Sequence, residues 1–187
     1  MNVNKHNGTK QTESRSDRLA LLDRTIRAAG AQRILYSAVL ANKLGLRQID
    51  LECLFIITLN DKVTPGRLAD ETGLTTGAIT GVVDRLEKGK FIKRVRDSND
   101  RRRIFLEPVA KRIAIIRAAN RRMHELWERD LAQYSDDELE VLLDFANRNY
   151  RSAVDATIAL RSNHNDGGNQ SITRLPERIF ETYQSDD

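Results

Sequence analysis

Apolar residues near both ends of the chain recur with the spacing of an α-helix. The first stripe predicts one long helix between about residues 17 and 45, on positions such as Leu19, Leu22 and Ile26. Two further stripes predict helices over about 109–133 and 136–160, and the capping box Ser135-Asp136-Asp137-Glu138 opens the second of them. Long amphipathic helices must bury their apolar sides against something. We therefore expect residues 17–45 and 109–160 to form a dimerisation region in which the helices of two chains cover each other.

Between the long helices, glycine and proline divide the chain into shorter elements. One helix is predicted over about 47–59, and the next begins where Thr64 caps a helix with Pro65 at its first position. Gly73 supplies a tight turn, and Thr75 caps a further helix over about 76–88. Gly89 is expected to end that helix in the left-handed conformation. The order of these elements predicts a helix–turn–helix.

A basic hairpin is predicted directly after this helix–turn–helix. Two short apolar runs, Phe91-Ile92 and Ile104-Phe105-Leu106, flank a polar tip that contains Asp100-Arg101-Arg102-Arg103. Residues 81–103 hold nine Lys or Arg and four Asp or Glu, although the net charge of the whole chain is only +4. This concentration of positive charge predicts contact with a polyanion such as the phosphate backbone of DNA.

The predicted fold is mainly α with a small β-hairpin wing, a winged helix-turn-helix with long terminal dimerisation helices. The winged helix-turn-helix DNA-binding domain is expected over residues 46–108. Residues 1–16 carry polar residues without any period and are expected to be disordered, and residues 161–187 to form a flexible C-terminal extension.

Composition argues against several other classes of protein. The 187 residues are 40% hydrophobic, which is enough for a core, yet no apolar run approaches the roughly 20 residues that span a bilayer. The first 16 residues lack the apolar centre of a signal peptide, and a single cysteine excludes an internal disulfide. We expect a cytoplasmic protein that does not associate with membranes.

The exposed side of the second helix of the helix–turn–helix is predicted to read DNA. If Ile79, Val82 and Val83 face the core, then Thr76, Gly77 and Thr80 face outward. Threonine hydroxyls can bond base edges or phosphates, and glycine lets a helix approach the groove closely. A solvated polar helix face is the alternative interpretation. The predicted DNA-binding residues are Thr75, Thr76, Gly77, Thr80, Arg85, Lys88, Lys90, Lys93, Arg94, Arg101, Arg102 and Arg103, with Asp100 orienting the wing.

The segments Leu68-Ala69, Thr72-Gly73-Leu74-Thr75, Val83-Asp84-Arg85-Leu86-Glu87-Lys88-Gly89 and Asp100-Arg101-Arg102 closely resemble the MarR (multiple antibiotic resistance regulator) family. The resemblance extends over about residues 18–160 and is specific over 64–106. It implies a homodimeric winged-helix transcription regulator whose recognition helix enters the major groove, with Arg102 reaching toward the minor groove. It also implies regulation by a small effector, often an aromatic acid or phenol. Many relatives carry a basic residue where this chain has Gly81, so the direct base readout that such a residue could provide is not expected at this position.

These observations predict a transcriptional regulator, with repression as its expected action, that binds double-stranded DNA of specific sequence as a homodimer on a pseudo-palindromic operator. A non-specific architectural protein or a protein-interaction module is the alternative. An enzyme is not expected, since no catalytic constellation is present and the three histidines are scattered without metal-ligand spacing. No cofactor or metal site is predicted. Cys53 lies among Leu51, Leu54 and Ile56, which favours core packing over a redox role.

Overall fold

The computed structural model describes residues 14–98, 100 and 102–162. Within them the chain forms a mainly helical fold with one two-stranded antiparallel hairpin, which confirms the predicted fold class. The elements are α1 Arg15–Leu44, α2 Gln48–Leu59, α3 Pro65–Thr72, α4 Thr76–Lys88, β1 Ile92–Arg96, β2 Ile104–Pro108, α5 Ala110–Leu131 and α6 Asp136–Ser162.

Helix α1 begins slightly earlier than the apolar stripe predicts. Ser14 and Asp17 form a reciprocal cap, in which the Ser14 hydroxyl donates to the Asp17 carboxylate at 2.7 Å and accepts from the Asp17 backbone N–H at 3.1 Å. This cap satisfies an otherwise unpaired N–H at the first turn. The chain divides into two units inside α1, between Val39 and Leu40. The remainder of the predicted disordered segment, residues 1–13, lies outside the described residues, as does the predicted extension from residue 163 onward.

Helices α2, α3 and α4 enclose the main hydrophobic core together with the hairpin. The two predicted caps are confirmed, because the Thr64 hydroxyl accepts from the Arg67 N–H and the Thr75 hydroxyl from the Ala78 N–H. Gly73 ends α3 in the left-handed conformation at φ 70°, as the turn requires. The core that these elements bury includes Leu54, Ile57, Val63, Leu68, Ile79, Val82, Val83, Leu86, Phe91, Ile92 and Leu106.

The predicted left-handed end of α4 at Gly89 is wrong. Gly89 is right-handed with φ −73°, and the next residue, Lys90, takes the left-handed conformation at φ 59°. The reason lies in packing, since a Cβ on Gly89 would come within 2.9 Å of the buried Phe91 ring. The glycine therefore provides space for an aromatic side chain, and the lysine accepts the less favourable backbone conformation.

Strands β1 and β2 pair with Val95 opposite Phe105 and Lys93 opposite Glu107. The hairpin is fixed to the core by an isolated bridge, in which the Leu106 N–H donates to the Val63 carbonyl at 2.8 Å. The base of the wing is thereby tied to the segment that precedes α3. The wing is thus built on the same core as the helix–turn–helix.

The predicted capping box at the start of α6 is confirmed. The Ser135 N–H donates to the Glu138 carboxylate at 2.8 Å, and the Glu138 N–H donates to the Ser135 hydroxyl at 3.4 Å. Much of the apolar stripe on α5 and α6 is exposed, including Met123, Trp127, Val141, Leu143 and Phe145. In the part of the chain that the structure describes, no helix is long and apolar enough to cross a membrane.

Candidate nucleic-acid interface

Helix α4 presents one side to the core and a side of small groups to solvent. Ile79, Val82, Val83 and Leu86 are buried. Thr75, Thr76, Gly77 and Thr80 are all exposed, as their predicted role requires. A close approach to this side is sterically open, since a Cβ added to Gly77 would meet no atom within 4 Å. No neighbouring side chain therefore covers the helix backbone at Gly77.

The threonines of this side already make hydrogen bonds within the protein. Thr75 accepts from the Ala78 N–H at 3.3 Å, and the Thr80 hydroxyl donates to the Thr76 carbonyl at 2.9 Å. Because the hydroxyl proton of Thr80 is engaged with its own helix, its oxygen lone pairs are the groups left to accept from a ligand. Thr80 is thus suited to accept a hydrogen bond from a base amino group rather than to donate one.

Arg85 is held by a buried carboxylate. Its Nε and Nη2 donate to the two oxygens of Asp50 at 2.9 and 2.5 Å, and Asp50 is only 2% exposed. These hydrogen bonds raise the pKa of Arg85. The remaining nitrogen, Nη1, points toward Gly81, where a Cβ would lie 3.3 Å from it. The glycine that departs from the family pattern therefore leaves room for this guanidinium.

Arg94 joins the wing to helix α4. From β1 it donates to Asp84 at 2.6 Å and to Glu87, both on α4. The hydrogen bond to Asp84 is the main cause of the raised pKa of Arg94. Lys93, one residue earlier, pairs across the hairpin with Glu107 at 2.8 Å. Together with Arg85, three predicted DNA contacts thus have carboxylate partners within the protein. Arg94 fixes the position of the wing relative to α4.

The wing tip is shaped by backbone hydrogen bonds. The Asp100 carboxylate accepts from the Arg102 N–H at 3.0 Å, and the Asp100 carbonyl accepts from the Arg103 N–H at 2.9 Å. The predicted orienting role of Asp100 therefore acts on the backbone of the turn. Arg103 stacks 5.8 Å from the centre of the Phe105 ring, while the Arg102 side chain is exposed. The predicted contact Arg101 lies outside the described residues.

A second group of basic residues is exposed without a carboxylate partner. Lys88 and Lys90 at the end of α4, and Arg96 at the end of β1, form no ion pair within the residues that the structure describes. Such cations keep their full attraction for phosphate. Arg96 was not among the predicted DNA contacts, although the sequence places it close to the wing tip. Asp50 was also missed as a functional residue. The sequence feature that could have revealed it is an acidic residue among the apolar residues of α2.

Cys53 is fully buried in α2. Burial, followed by the charges of Asp50 and Glu52, raises the pKa of its thiol to about 11. A thiol that is protonated and inaccessible is a poor nucleophile, so the geometry supports core packing, as predicted. Within the described residues no group of three or more His, Cys, Asp or Glu side chains could hold a metal ion.

Comparison with known proteins adds an independent line of evidence. Residues 44–103 match the family model of the MarR family. The chain is 31% identical over 140 residues to an uncharacterized HTH-type transcriptional regulator, YcgE, of Bacillus subtilis, covering 75% of this chain and 90% of that protein. A second regulator of the same organism, YfiV, is 25% identical over 102 residues, which cover 54% of this chain and 64% of YfiV.

Solved structures share the fold. A MarR family protein from Bacillus stearothermophilus aligns with a TM-score of 0.57 at 18% identity, covering 76% of this chain and 99% of that one. FabT of Streptococcus pneumoniae, solved in complex with DNA, aligns with a TM-score of 0.54 at 22% identity, covering 74% and 99% of the two chains. The chain belongs to the MarR family of transcriptional regulators.

Proposed function

We propose that two copies of this MarR-family chain form a homodimer that binds a pseudo-palindromic DNA sequence and represses transcription there. The observation that carries the proposal is the exposed side of α4, where small polar groups are open to close approach and a basic wing is tied to the same helix by Arg94. FabT, which shares this fold and was solved in complex with DNA, supports DNA binding as the function. Repressors act by occupying a duplex site, which this arrangement allows.

In the proposed complex, α4 enters the major groove and the wing lies along the adjacent backbone. Thr76 and Thr80 would meet base edges, with Gly77 allowing the helix to come close and Thr75 lying beside a phosphate. Lys88, Lys90 and Arg103 would bind phosphates, which gives affinity that falls steeply with salt. Arg101 and Arg102 at the wing tip would enter the minor groove, where a guanidinium is favoured by the negative potential.

The basic residues that already have carboxylate partners would contribute differently. Arg85 keeps one nitrogen, Nη1, beyond its two hydrogen bonds to Asp50, so it would meet DNA in a fixed orientation. Lys93 pairs with Glu107 where both side chains are about half exposed or more, and an exposed pair of this kind is weak enough to exchange for a phosphate. Arg94 would contact phosphate while it also keeps its ion pairs to Asp84 and Glu87, which hold the wing against α4.

Dimerisation is supported by the apolar residues that α1, α5 and α6 leave uncovered. Leu22, Leu35 and Val39 on α1 are 45%, 60% and 67% exposed. Large apolar surfaces of this kind mark interaction sites in soluble proteins. A two-fold dimer would bring two α4 helices to successive major grooves, roughly 34 Å apart. The proposal keeps residues 17–45 and 109–160 as the dimerisation region and 46–108 as the DNA-binding domain.

Selection of bound sequences from a pool of random duplexes tests the proposal directly. The expected result is an inverted repeat whose two halves are about one helical turn apart. Binding without any enriched sequence, lost in moderate salt, would overturn the specific regulator in favour of an architectural protein. The selected duplex then allows a second question, whether a small aromatic acid releases it. We propose such an effector as part of the regulation, and unchanged affinity across a panel of aromatic acids would remove it.

The contribution of Arg102 is tested on the selected duplex by Arg102→Ala. A loss of about 1–3 kcal/mol is expected, with relaxed sequence preference where the wing tip lies. Arg96→Ala is the matched control in the same wing, for which a smaller loss is expected, equal on all sequences. If Arg102→Ala retains wild-type affinity at fixed salt, Arg102 does not contact DNA.

A further inference from the structure

The carboxyl end of α3 is capped by a residue from the last helix of the fold. Arg161 on α6 donates through Nη2 to the Thr72 carbonyl at 2.8 Å and through Nη1 to the Asp70 carbonyl at 3.5 Å. The last carbonyls of a helix have no partner within it, and a cation at that end also interacts favourably with the helix dipole. The first helix of the helix–turn–helix is therefore completed by a side chain about 90 positions later in the sequence.

The turn that follows α3 is fitted to this guanidinium. Gly73 has φ 70°, and its N–H donates to the Ala69 carbonyl at 2.7 Å. A Cβ on Gly73 would overlap the Arg161 guanidinium, whose Cζ, Nη2 and Nε are the three atoms nearest to it. Glycine is thus favoured here for its backbone conformation, and any larger side chain would also have to displace the Arg161 guanidinium.

The face of α6 that carries Arg161 holds further partly buried residues. The partly buried residues in the second half of α6 recur with helical spacing and are Asn147, Tyr150, Val154, Ile158 and Arg161. After burial itself, the charge of Glu71 on α3 raises the pKa of Tyr150, which places the two groups near each other. Arg161, on this face, bonds the end of α3.

Glu71 on α3, and two residues on the face of α6 that carries Arg161, bury polar atoms that have no hydrogen-bond partner in the described part of the chain. The Glu71 side chain is only 3% exposed, and its Oε1 accepts from Arg67 at 2.7 Å. Its Oε2, Asn147 Oδ1 and Tyr150 OH are buried without a hydrogen-bond partner among the described residues. Burying unpaired polar atoms is unfavourable. The two hydrogen bonds from Arg161 therefore supply a specific attraction between α6 and α3 that these unpaired atoms do not.

We propose that Arg161 is a positioning residue for DNA binding, which latches α6 to the end of α3 and so fixes the helix–turn–helix relative to α6. The proposal rests on the proposed function, because α6 is taken there as part of the dimer interface. With α6 held by the second chain, the latch sets the distance between the two recognition helices. Loss of the latch leaves each winged helix able to bind its own half-site but lets the separation of the two vary.

The test compares Arg161→Gln with Arg151→Gln, a matched change at an exposed arginine of the same helix. Affinity is measured on the selected duplex, on duplexes with one or two base pairs added or removed between the half-sites, and on a single half-site. Arg161→Gln is expected to weaken binding to the selected spacing by about tenfold, to reduce the preference over the altered spacings, and to leave the half-site unchanged. Arg151→Gln should match the wild-type protein throughout.

An equal loss by Arg161→Gln on every duplex, the half-site included, would overturn the positioning role, since it would report general destabilisation. An unchanged spacing preference would overturn it as well. Amide hydrogen exchange over residues 64–75 tests the latch without DNA. Its outcome therefore distinguishes a failure of the latch from a failure of the proposed function. Arg161→Gln should speed exchange at the end of α3 and Arg151→Gln should not. Equal exchange in both variants would show that no latch exists, whether or not the protein selects a sequence.

Discussion

The winged helix and the long helices on either side of it use their apolar residues in opposite ways. In α2, Leu51, Leu54 and Ile57 are at most 1% exposed, whereas Leu35 on α1 and Val141 on α6 are 60% and 69% exposed. Both regions show helical periodicity, so the sequence pattern does not distinguish them. The winged helix thus completes its core within one chain, while the apolar sides of the long helices stay exposed and are the surfaces that the proposed dimer would cover.

The largest expected effect comes from placing a charge on the exposed apolar side of α6. Phe145→Glu should convert the dimer into monomers, because a carboxylate cannot be buried without a partner. Affinity for the selected duplex should then fall by about 100- to 10,000-fold, since the two half-sites are no longer bound by one linked molecule. Sedimentation and DNA titration measure the two effects. Phe145→Leu is the control and should remain dimeric, and a dimeric Phe145→Glu would remove this surface from the interface.

A pair of identical substitutions compares stability in the two regions. Leu54→Ala in the buried core should lower the free energy of unfolding by about 2–5 kcal/mol. Leu143→Ala, at an exposed position of α6, should change it by no more than about 0.5 kcal/mol when both are made in the monomeric Phe145→Glu background. Denaturant titrations give both values. A comparable loss at the two positions would mean that α6 is already packed within a single chain.

Glu71 offers a pH-dependent test at the edge of the winged helix. Burial is the main cause of its raised pKa, so the folded protein holds this proton more tightly than the unfolded chain does. The group stabilises the fold below its ordinary pKa of 4.5, and this contribution is lost as pH rises through the folded value. The Glu71→Gln variant has no carboxyl group at this position and therefore lacks this pH-dependent contribution.

The free energy of unfolding of Glu71→Gln, taken relative to wild type, should therefore increase as pH rises above 4.5 and then level off. Urea titrations from pH 4 to 7 measure the difference, and Glu140→Gln, at an exposed acid of α6, serves as the control with a flat difference. A difference that falls with rising pH would show that the ion pair with Arg67 outweighs burial.

The smallest effect is expected at Cys53. With a pKa of about 11, about one thiol in a thousand is ionised at pH 8, and the side chain is fully buried besides. A thiol reagent should react with the native protein only as fast as the protein unfolds, and at once in denaturant. Prompt reaction of the native protein would contradict a closed core and would reopen a redox role.

Local sequence was sufficient for the helix ends whose partners are close in the chain. Thr64, Thr75 and the Ser135–Glu138 box were predicted as caps because each bonds a backbone N–H within three residues. The end of α4 was predicted wrongly, because the packing of the Phe91 ring against Gly89 moved the left-handed residue to Lys90. The exposed side of α4 could be predicted, since helical spacing alone separates it from the buried side.

The partners of the charged residues could not be predicted in this way. The sequence presented Arg85, Lys93 and Arg94 as equivalent members of one basic segment. In the structure Arg85 bonds Asp50, 35 positions earlier, Lys93 pairs with Glu107, and Arg94 pairs with both Asp84 and Glu87.

The sequence by itself determined the order of the elements, the N-terminal caps at Thr64, Thr75 and Ser135, the basic wing and the family resemblance. Tertiary structure decided which cations are held and which remain open to phosphate, and it brought Arg161 to the end of α3. The physical reason is range: backbone caps and helical periodicity act within a few residues, whereas a guanidinium finds its acceptor only after the chain has folded.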